Sequence, residues 1–423
     1  MSRSEPAIGT EPEVVSPQRR VSELSLFDGD LVNRIFGWLG LGPRRPRHLV
    51  GRALLLIALT WVPLAILAVW GRPPFYGTQL VPGNFFADFA AYAQFLLGLP
   101  LFVLAEAIVG TAASDAGSEF VASGIVRPRD LGTLERLHRR VAFLRTSSWG
   151  ELSCLTLGYA FSLAILVTEF RDAKGNTWHT YVEQGVRHVS APGLWEFFVA
   201  LPLLNYWWLR QLWRIAVWCY YLFRLSRLRL ALVATHPDRT GGIGFISTAQ
   251  GHFAWVILAY GVSNVAATVG YELAIERVDP WIPPVWGPVL GFVIIAPLSF
   301  LLPLFMFTRQ LYRTKRRARR LYRARVMEYA RLFESTVLPQ APVARATPST
   351  ALDLGLMARF SELFERCEHM RVVPFDFRSM SELFISTLGT VATILPALRF
   401  TQLLSQLLSI AGKLGALFAH PVR

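Results

Sequence analysis

Glu106, Arg210 and Arg214 are charged residues inside the apolar runs Phe89–Ala113 and Leu194–Phe223. Glu106 lies 17 residues beyond Phe89, and Arg210 lies 16 beyond Leu194. If both runs are helices crossing in the same direction, equal rise per residue brings these opposite charges to one depth. A charge in hydrocarbon costs at least ~2.5–3.5 kcal/mol on insertion scales, so such residues pair or line a wet cavity. Arg214 follows Arg210 by one turn on the same face, and Asn205, Ser263 and Asn264 are further polar candidates. Two chemistries fit this set: an ion pair that fixes helices together, or a centre that gates or moves an ion or small solute.

The densest local pattern is Thr235–Phe245, where His236, Asp238 and Arg239 supply a titratable ring, an acceptor and a fixed cation. Pro237 stops the preceding helix and pushes His236 toward extended backbone. Gly241, Gly242 and Gly244 then admit positive φ or close backbone approach. Such a loop can bind an anion, serve as a site for lipid chemistry through His236 and Asp238, or simply form a rigid turn. His252 is near in sequence, but no full ligand set at metal-site spacing is present, so no metal is expected. There is no P-loop, nucleophile elbow, zinc-protease motif or dinucleotide fingerprint, so the sequence points to no cofactor and favours a role other than an enzyme's.

A third cluster is basic: Arg316, Arg317, Arg319 and Arg320 sit in the arginine-rich stretch after Thr308. Beside a bilayer each basic residue gains about 1 kcal/mol from anionic lipid, so these four are candidate lipid contacts, with a topological anchor as the plainer reading.

The elements that must carry these residues follow from composition. Of 423 residues, 53% are hydrophobic and only 17% charged, and the mean hydropathy is +0.37. Soluble domains carry about 25% charged residues, so a soluble globular enzyme is disfavoured. The apolar residues fall into runs at Leu54–Trp70, Phe89–Ala113, Leu152–Phe170, Leu194–Phe223, Phe253–Tyr271 and Val285–Thr308. Each is at or near the ~20 residues that a helix needs to span hydrocarbon. Leu383–Leu398 is a shorter seventh. Long runs without alternation mean helices, so the expected fold is all-α, a polytopic transmembrane bundle of six spans and a seventh.

The net charge of +14 would suggest nucleic acid in a soluble chain, but the positions of the basic residues argue otherwise. Residues 1–52, 114–149, 224–251 and 309–331 hold 8, 6, 4 and 10 Lys+Arg, whereas 71–88, 171–193 and 272–286 hold 1, 3 and 1. That alternation is the positive-inside pattern, with the N-terminus cytoplasmic, and leaves no case for nucleic acid. The expected organisation is a flexible cytoplasmic tail (1–48), a six-span bundle (49–308), a basic cytoplasmic helical arm with a Pro-containing linker (309–378), and a last span with an amphipathic C-terminal helix (379–423). In the arm, Tyr322, Val326, Tyr329 and Phe333 recur at helical spacing, so it should form a hairpin with a second helix over Leu352–Met370 or an oligomerisation surface, leaving a homo-oligomer open. Gly175–Asn176 is read as a bend. Three cysteines exclude a disulfide framework.

The arginine- and tryptophan-rich fourth run (Trp207, Trp208, Arg210, Trp213, Arg214), the loop His236-Pro-Asp-Arg-x-Gly-Gly-x-Gly-Phe245, Glu106, and Val373-Pro374-Phe375-Asp376 together resemble a family of uncharacterised bacterial multi-pass membrane proteins over about residues 50–400. The resemblance implies a bacterial inner-membrane bundle and no particular activity. Transport of a small solute or ion, or signalling and scaffolding through the arm, are the functions the sequence leaves in view, with the lipid bilayer and its anionic lipids as partners.

Overall fold

The computed structural model describes residues 31–42, 46–70, 84–172, 176–269, 283–337 and 348–397. The tail before residue 31, the Trp281 turn, the 338–347 linker and the amphipathic C-terminal stretch lie outside these residues. Helices follow one another as α1 (Leu31–Trp38), α2 (Pro46–Trp70), α3 (Phe89–Ala122), α4 (Leu131–Thr146), α5 (Ser148–Asp172), α6 (residues 191–225) and α7 (Gly244–Val269). After them come α8 (Pro283–Leu301), a 3₁₀ stretch Leu302–Phe307, α9 (Thr308–Val337), α10 (Pro348–Glu368) and α11 (Phe377–Ala397).

Five described helical stretches, Arg47–Trp70, Phe89–Ala122, Pro128–Arg171, Gly244–Val269 and Trp286–Arg331, are long and apolar enough to cross a membrane. Their outward faces carry exposed Leu54, Leu59, Val62 and Ile66 on α2, Leu155 and Ile165 on α5, and Leu290, Ile294, Ile295 and Leu298 on α8. Apolar surface on that scale needs a non-aqueous neighbour. The fourth apolar run forms α6 but carries Arg210, Arg214 and Arg224, and it packs lengthwise along α5.

The expectation of a purely α fold needs one correction. Thr180–Glu183 (β1) and Val186–Val189 (β2) pair antiparallel, Thr180 against Val189 and Glu183 against Val186. Their turn is Gln184–Gly185, with φ of 51° and 78°, the left-handed pair that a two-residue hairpin requires. Gly175 of the expected Gly175–Asn176 bend lies outside the described residues. Asn176 Oδ1 accepts from the Val182 N–H at 2.9 Å.

A second correction concerns the tail. Residues 31–38 form a docked helix, with Val32 and Phe36 buried. Arg52 of α2, only 2% exposed, holds it: Nη1 donates to Asn33 Oδ1 at 2.8 Å, Nε donates to the Leu41 carbonyl at 2.7 Å, and the guanidinium lies 4.7 Å from the Phe36 ring centre.

Three helices contain a π-helical turn: Tyr92–Gly98 in α3, Glu196–Ala200 in α6 and Gly261–Ala266 in α7. The first two end just before Pro100 and Pro202, whose missing N–H groups disrupt the regular ladder. The first and third pack on each other, where a Cβ at Gly98 would lie 2.7 Å from the Ser263 Cβ. Gly261 in turn sits against α11, with Thr390 Cγ2 2.6 Å from where a Cβ would stand.

The core divides along the bundle. Phe85, Phe95, Phe102, Trp178, Phe197 and Trp207 fill the end carrying the hairpin. Phe120, Trp218, Tyr221, Phe253, Phe307 and Leu311 fill the end carrying the arm. The arm itself is the expected hairpin: α9 and α10 pack together, with Tyr329 stacked on Phe360 at 5.1 Å between ring centres.

Because Gly261 touches Thr390 directly, Gly261→Ala should destabilise by about 1–3 kcal/mol through overpacking. The thermal midpoint in detergent, followed by tryptophan fluorescence, should fall, and Thr390→Ala in the same chain should recover part of the loss.

Candidate functional site

Glu106, Arg210 and Arg214 do meet. The Glu106 carboxylate accepts from both terminal nitrogens of Arg210, one of them, Nη2 to Oε1, at 3.1 Å, and Arg214 Nη2 stands 3.1 Å from Oε1. All three are buried, at 7%, 2% and 5% exposure. The Arg210 guanidinium also lies 4.9 Å from the Trp207 ring centre. The carboxylate takes the Arg210 fork through both terminal nitrogens and faces Arg214 as well, which locks α3 to α6. Gln211, the residue after Arg210, extends the lock by donating to the Phe102 carbonyl at 3.2 Å. Asn264 is not part of this centre. It is exposed, bonds to the Tyr260 carbonyl at 3.3 Å, and lines a separate cleft with Asn205 and Trp208. It sits inside the π-helical turn Gly261–Ala266.

The Thr235–Phe245 loop is organised by Asp238. Its carboxylate accepts from the N–H of Thr240 at 2.8 Å, Gly242 at 2.9 Å and Gly244 at 3.0 Å, from the Thr240 hydroxyl at 2.8 Å, and faces His236 Nδ1 at 2.8 Å. Burial alone would raise the Asp238 pKa, but these hydrogen bonds hold it below the ordinary carboxylate range. Arg239, Gly241 and Gly242 have φ of 56°, 73° and 99°. At Gly241 a Cβ would meet Met370 at 3.1 Å, and at Gly242 it would meet Ile125 at 3.2 Å. The Arg239 carbonyl accepts from the Arg371 N–H at 2.6 Å. The loop therefore joins α6, α7 and the segment after α10, and Asp238 has its acceptor sites occupied by the loop itself. His252 turns elsewhere, to the Thr248 carbonyl at 2.8 Å. Among the described residues no group of three His, Cys, Asp or Glu side chains is placed to hold a metal ion.

Of the four arginines taken together as lipid contacts, Arg316, Arg319 and Arg320 line one cleft with Tyr312 and Arg323, where Arg319 also pairs with Glu368 at 2.7 Å, and Arg317 lines a separate cavity beside the 226–235 segment. At 100° per residue, positions 316, 319, 320 and 323 fall on one face of α9 and 317 turns away.

A fourth cluster, at the hairpin end, gave no sequence signal. Asp88 caps α3 by accepting from the Ala90 N–H at 2.8 Å, and it accepts from Trp178 Nε1 at 2.9 Å. His179 Nδ1 bonds Glu196, and its Nε2 lies 4.0 Å from Asp88. Ser190 caps α6, donates to the Trp178 carbonyl and accepts from the Gly193 N–H at 2.9 Å. All these side chains are buried. Burial pushes the Asp88 carboxyl up and by itself would lower His179, yet the carboxylates of Glu196 and Asp88 raise His179 to about 9. His179, held between the Glu196 and Asp88 carboxyl groups, thus clasps the hairpin onto α3 and α6.

Replacing Glu106 by Gln removes the carboxylate that both guanidiniums face, and breaking a buried pair this way costs about 3–5 kcal/mol. Glu106→Gln should reduce the yield of monodisperse protein in size exclusion, and changing Glu106, Arg210 and Arg214 together to Met should cost less. For His179 the folded pKa near 9 exceeds the unfolded ~6.5, so its contribution is fully present below about pH 6.5 and lost as pH rises through about 9. The thermal midpoint should fall across that window, and His179→Gln should flatten the dependence. No family model, curated protein or solved structure matches this chain, so the clamp, the loop and the clasp are read from their own geometry.

Proposed function

We propose that the chain is an integral protein of a bacterial inner membrane, N-terminus inside, acting as a membrane-anchored signalling or scaffold component through its cytoplasmic arm. In this reading α6 and α11 cross together with the five apolar stretches, making seven spans, and the arm end faces the cytoplasm. The arginine asymmetry supports that orientation. Pairing of the buried Arg210 and Arg214 with Glu106 supports the placement of α6 in hydrocarbon.

The observation that carries the reading is the rigid continuity of membrane helix and arm. α8 passes through one 3₁₀ stretch directly into α9, and Trp286–Arg331 is a single helical stretch. Lys315 donates to the Met370 carbonyl at 2.6 Å and Arg319 pairs with Glu368, fastening α9 to the segment that leads into α11. Arg371 ties that segment to Asp376 at 2.8 Å and to the Arg239 carbonyl. An arm held at both ends presents a fixed surface, and exposed Arg316, Arg320 and Arg323 give it a cationic face for an anionic partner. A transport reading needs an accessible polar centre or backbone carbonyls left free beside prolines. Glu106, Arg210 and Arg214 are buried, and the Phe197 and Phe300 carbonyls accept from Ser162 at 2.5 Å and Gln250 at 2.6 Å.

A photo-crosslinking side chain at Arg316, Arg320 or Arg323 in living cells should give a discrete adduct that a probe at lipid-facing Leu54 or Ile66 does not. An adduct of twice the chain mass would make the partner a second copy. Absence of arm adducts, combined with ion or solute flux in reconstituted vesicles above protein-free controls, would overturn the reading in favour of transport.

A further inference from the structure

A cavity of about 950 Å³ opens at the arm end between the 226–235 segment and the first turns of α9. Arg127, Arg227, Arg229, Arg309, Arg313 and Arg317 line it, arriving from three separate stretches of chain, and no acidic residue does. Among the described residues, none of these six has a carboxylate at ion-pair distance. This is unlike the structural arginines nearby: Arg319 and Arg371 are each matched to a carboxylate.

Membrane topology accounts for arginines in these segments, but not for their convergence. The positive-inside pattern asks only that basic residues lie near span ends, in any direction. Gathering six like charges around one space raises their mutual repulsion, which a bound anion would reverse.

The walls are fixed independently of any ligand. Gln310 Nε2 donates to the carbonyls of Ser226 at 2.5 Å and Leu228 at 2.7 Å, pinning α9 against the loop. The Ala231 N–H donates to the Ile125 carbonyl at 2.8 Å, and Val126 bridges Leu230, which holds the Arg127 and Arg229 stretches together. Arg227 lies with its guanidinium 4.8 Å from the Phe223 ring centre. The rim is therefore preorganised, and its six guanidiniums are solvent-accessible.

From this geometry we infer that the cavity is a binding site for an anion bearing two or more phosphate groups. Guanidinium forks match phosphate oxygens in bidentate pairs, and six of them exceed what a single phosphate can engage. The volume admits a ligand much larger than inorganic phosphate. Phe223, Met306 and Leu321 supply an apolar side, so the phosphates can come from a soluble polyphosphate or from a lipid headgroup whose chains lie along that side. The site is separate from the arm's outer face, and binding is read on the purified chain, so its failure and that of the arm's partner are distinguishable.

The test is titration calorimetry of tripolyphosphate into the full chain in neutral detergent, beside flotation with phosphatidylcholine vesicles with and without cardiolipin, monitored together with native mass spectrometry. The Arg229→Gln/Arg313→Gln variant changes exposed side chains, and circular dichroism checks that it folds. One equivalent of tripolyphosphate should bind, weakening by about tenfold or more in the double variant, a loss of about 1.4 kcal/mol. The Arg316→Gln/Arg320→Gln variant, altered in the neighbouring cleft, should bind as the unaltered chain does. Retention of cardiolipin lost only in the first variant, with no tripolyphosphate binding, would assign the lipid as the source. If neither probe binds, or the first variant binds both as tightly as the unaltered chain, the inference is wrong.

Discussion

The carboxylate of Glu106 between the guanidiniums of Arg210 and Arg214 is the constraint on which the bundle's arrangement depends. Three charges at under a tenth exposure tolerate little displacement, because any separation leaves an uncompensated charge where water is scarce. That requirement fixes the depth of α6 against α3. It brings Trp207 beneath Arg210, places Gln211 against the Phe102 carbonyl, and presses Gly158 of α5 onto the α6 backbone, where a Cβ would stand 3.1 Å from the Pro202 carbonyl oxygen. Helices in an apolar surround gain little from burying more apolar surface, so close backbone approach and polar locks decide their pairing.

The irregular backbone follows the same logic. Pro303 lacks an N–H, and in the 3₁₀ stretch the Leu304 N–H turns back three residues, so the Phe300 carbonyl loses its helical donors. Gln250 replaces them while accepting from Trp218 Nε1 at 3.0 Å, which links α6, α7 and α8 through one buried amide. Ser162 does the same for the Phe197 carbonyl beside Pro202. Each break in a ladder is thus used as an attachment point for a neighbouring helix, and the buried polar groups support one another.

The extent to which this was legible in sequence tracks the range of the interactions. Helices came from runs of apolar residues, a local property, and the Glu106–Arg210 pairing came from counting rise along two runs that share a direction. The Asp238 loop was visible because its donors lie within six residues of it. The clasp was not: Asp88 and Trp178 are 90 residues apart, and neither His179 nor Glu196 sits in a patterned context, so only folding brings them together. Residue type alone groups Asn264 with the centre, yet it lies in a separate cleft, and of the arginine quartet only Arg317 stands apart from the others. In the 171–193 loop a bend is read in preference to two short strands, since four-residue strands closed by Gln184–Gly185 give too little alternation to register.

The two ends of the bundle handle charge in opposite ways, which bears on where function lies. At the hairpin end, His179 is matched by Glu196 and Asp88 within a few residues of buried tryptophan, and the cluster has no basic excess. At the arm end, the arginines with mechanical duties are each matched, Arg319 to Glu368, Arg366 to Glu362, Arg371 to Asp376 and Arg378 to Glu382. Arginines with no ion pair among the described residues line both the cavity against the 226–235 segment and the cleft of Arg316, Arg320 and Arg323. The arginines that hold the arm in place are thus distinct from those left available, and the convergence of six of the latter on one space costs repulsion that nothing in the fold requires.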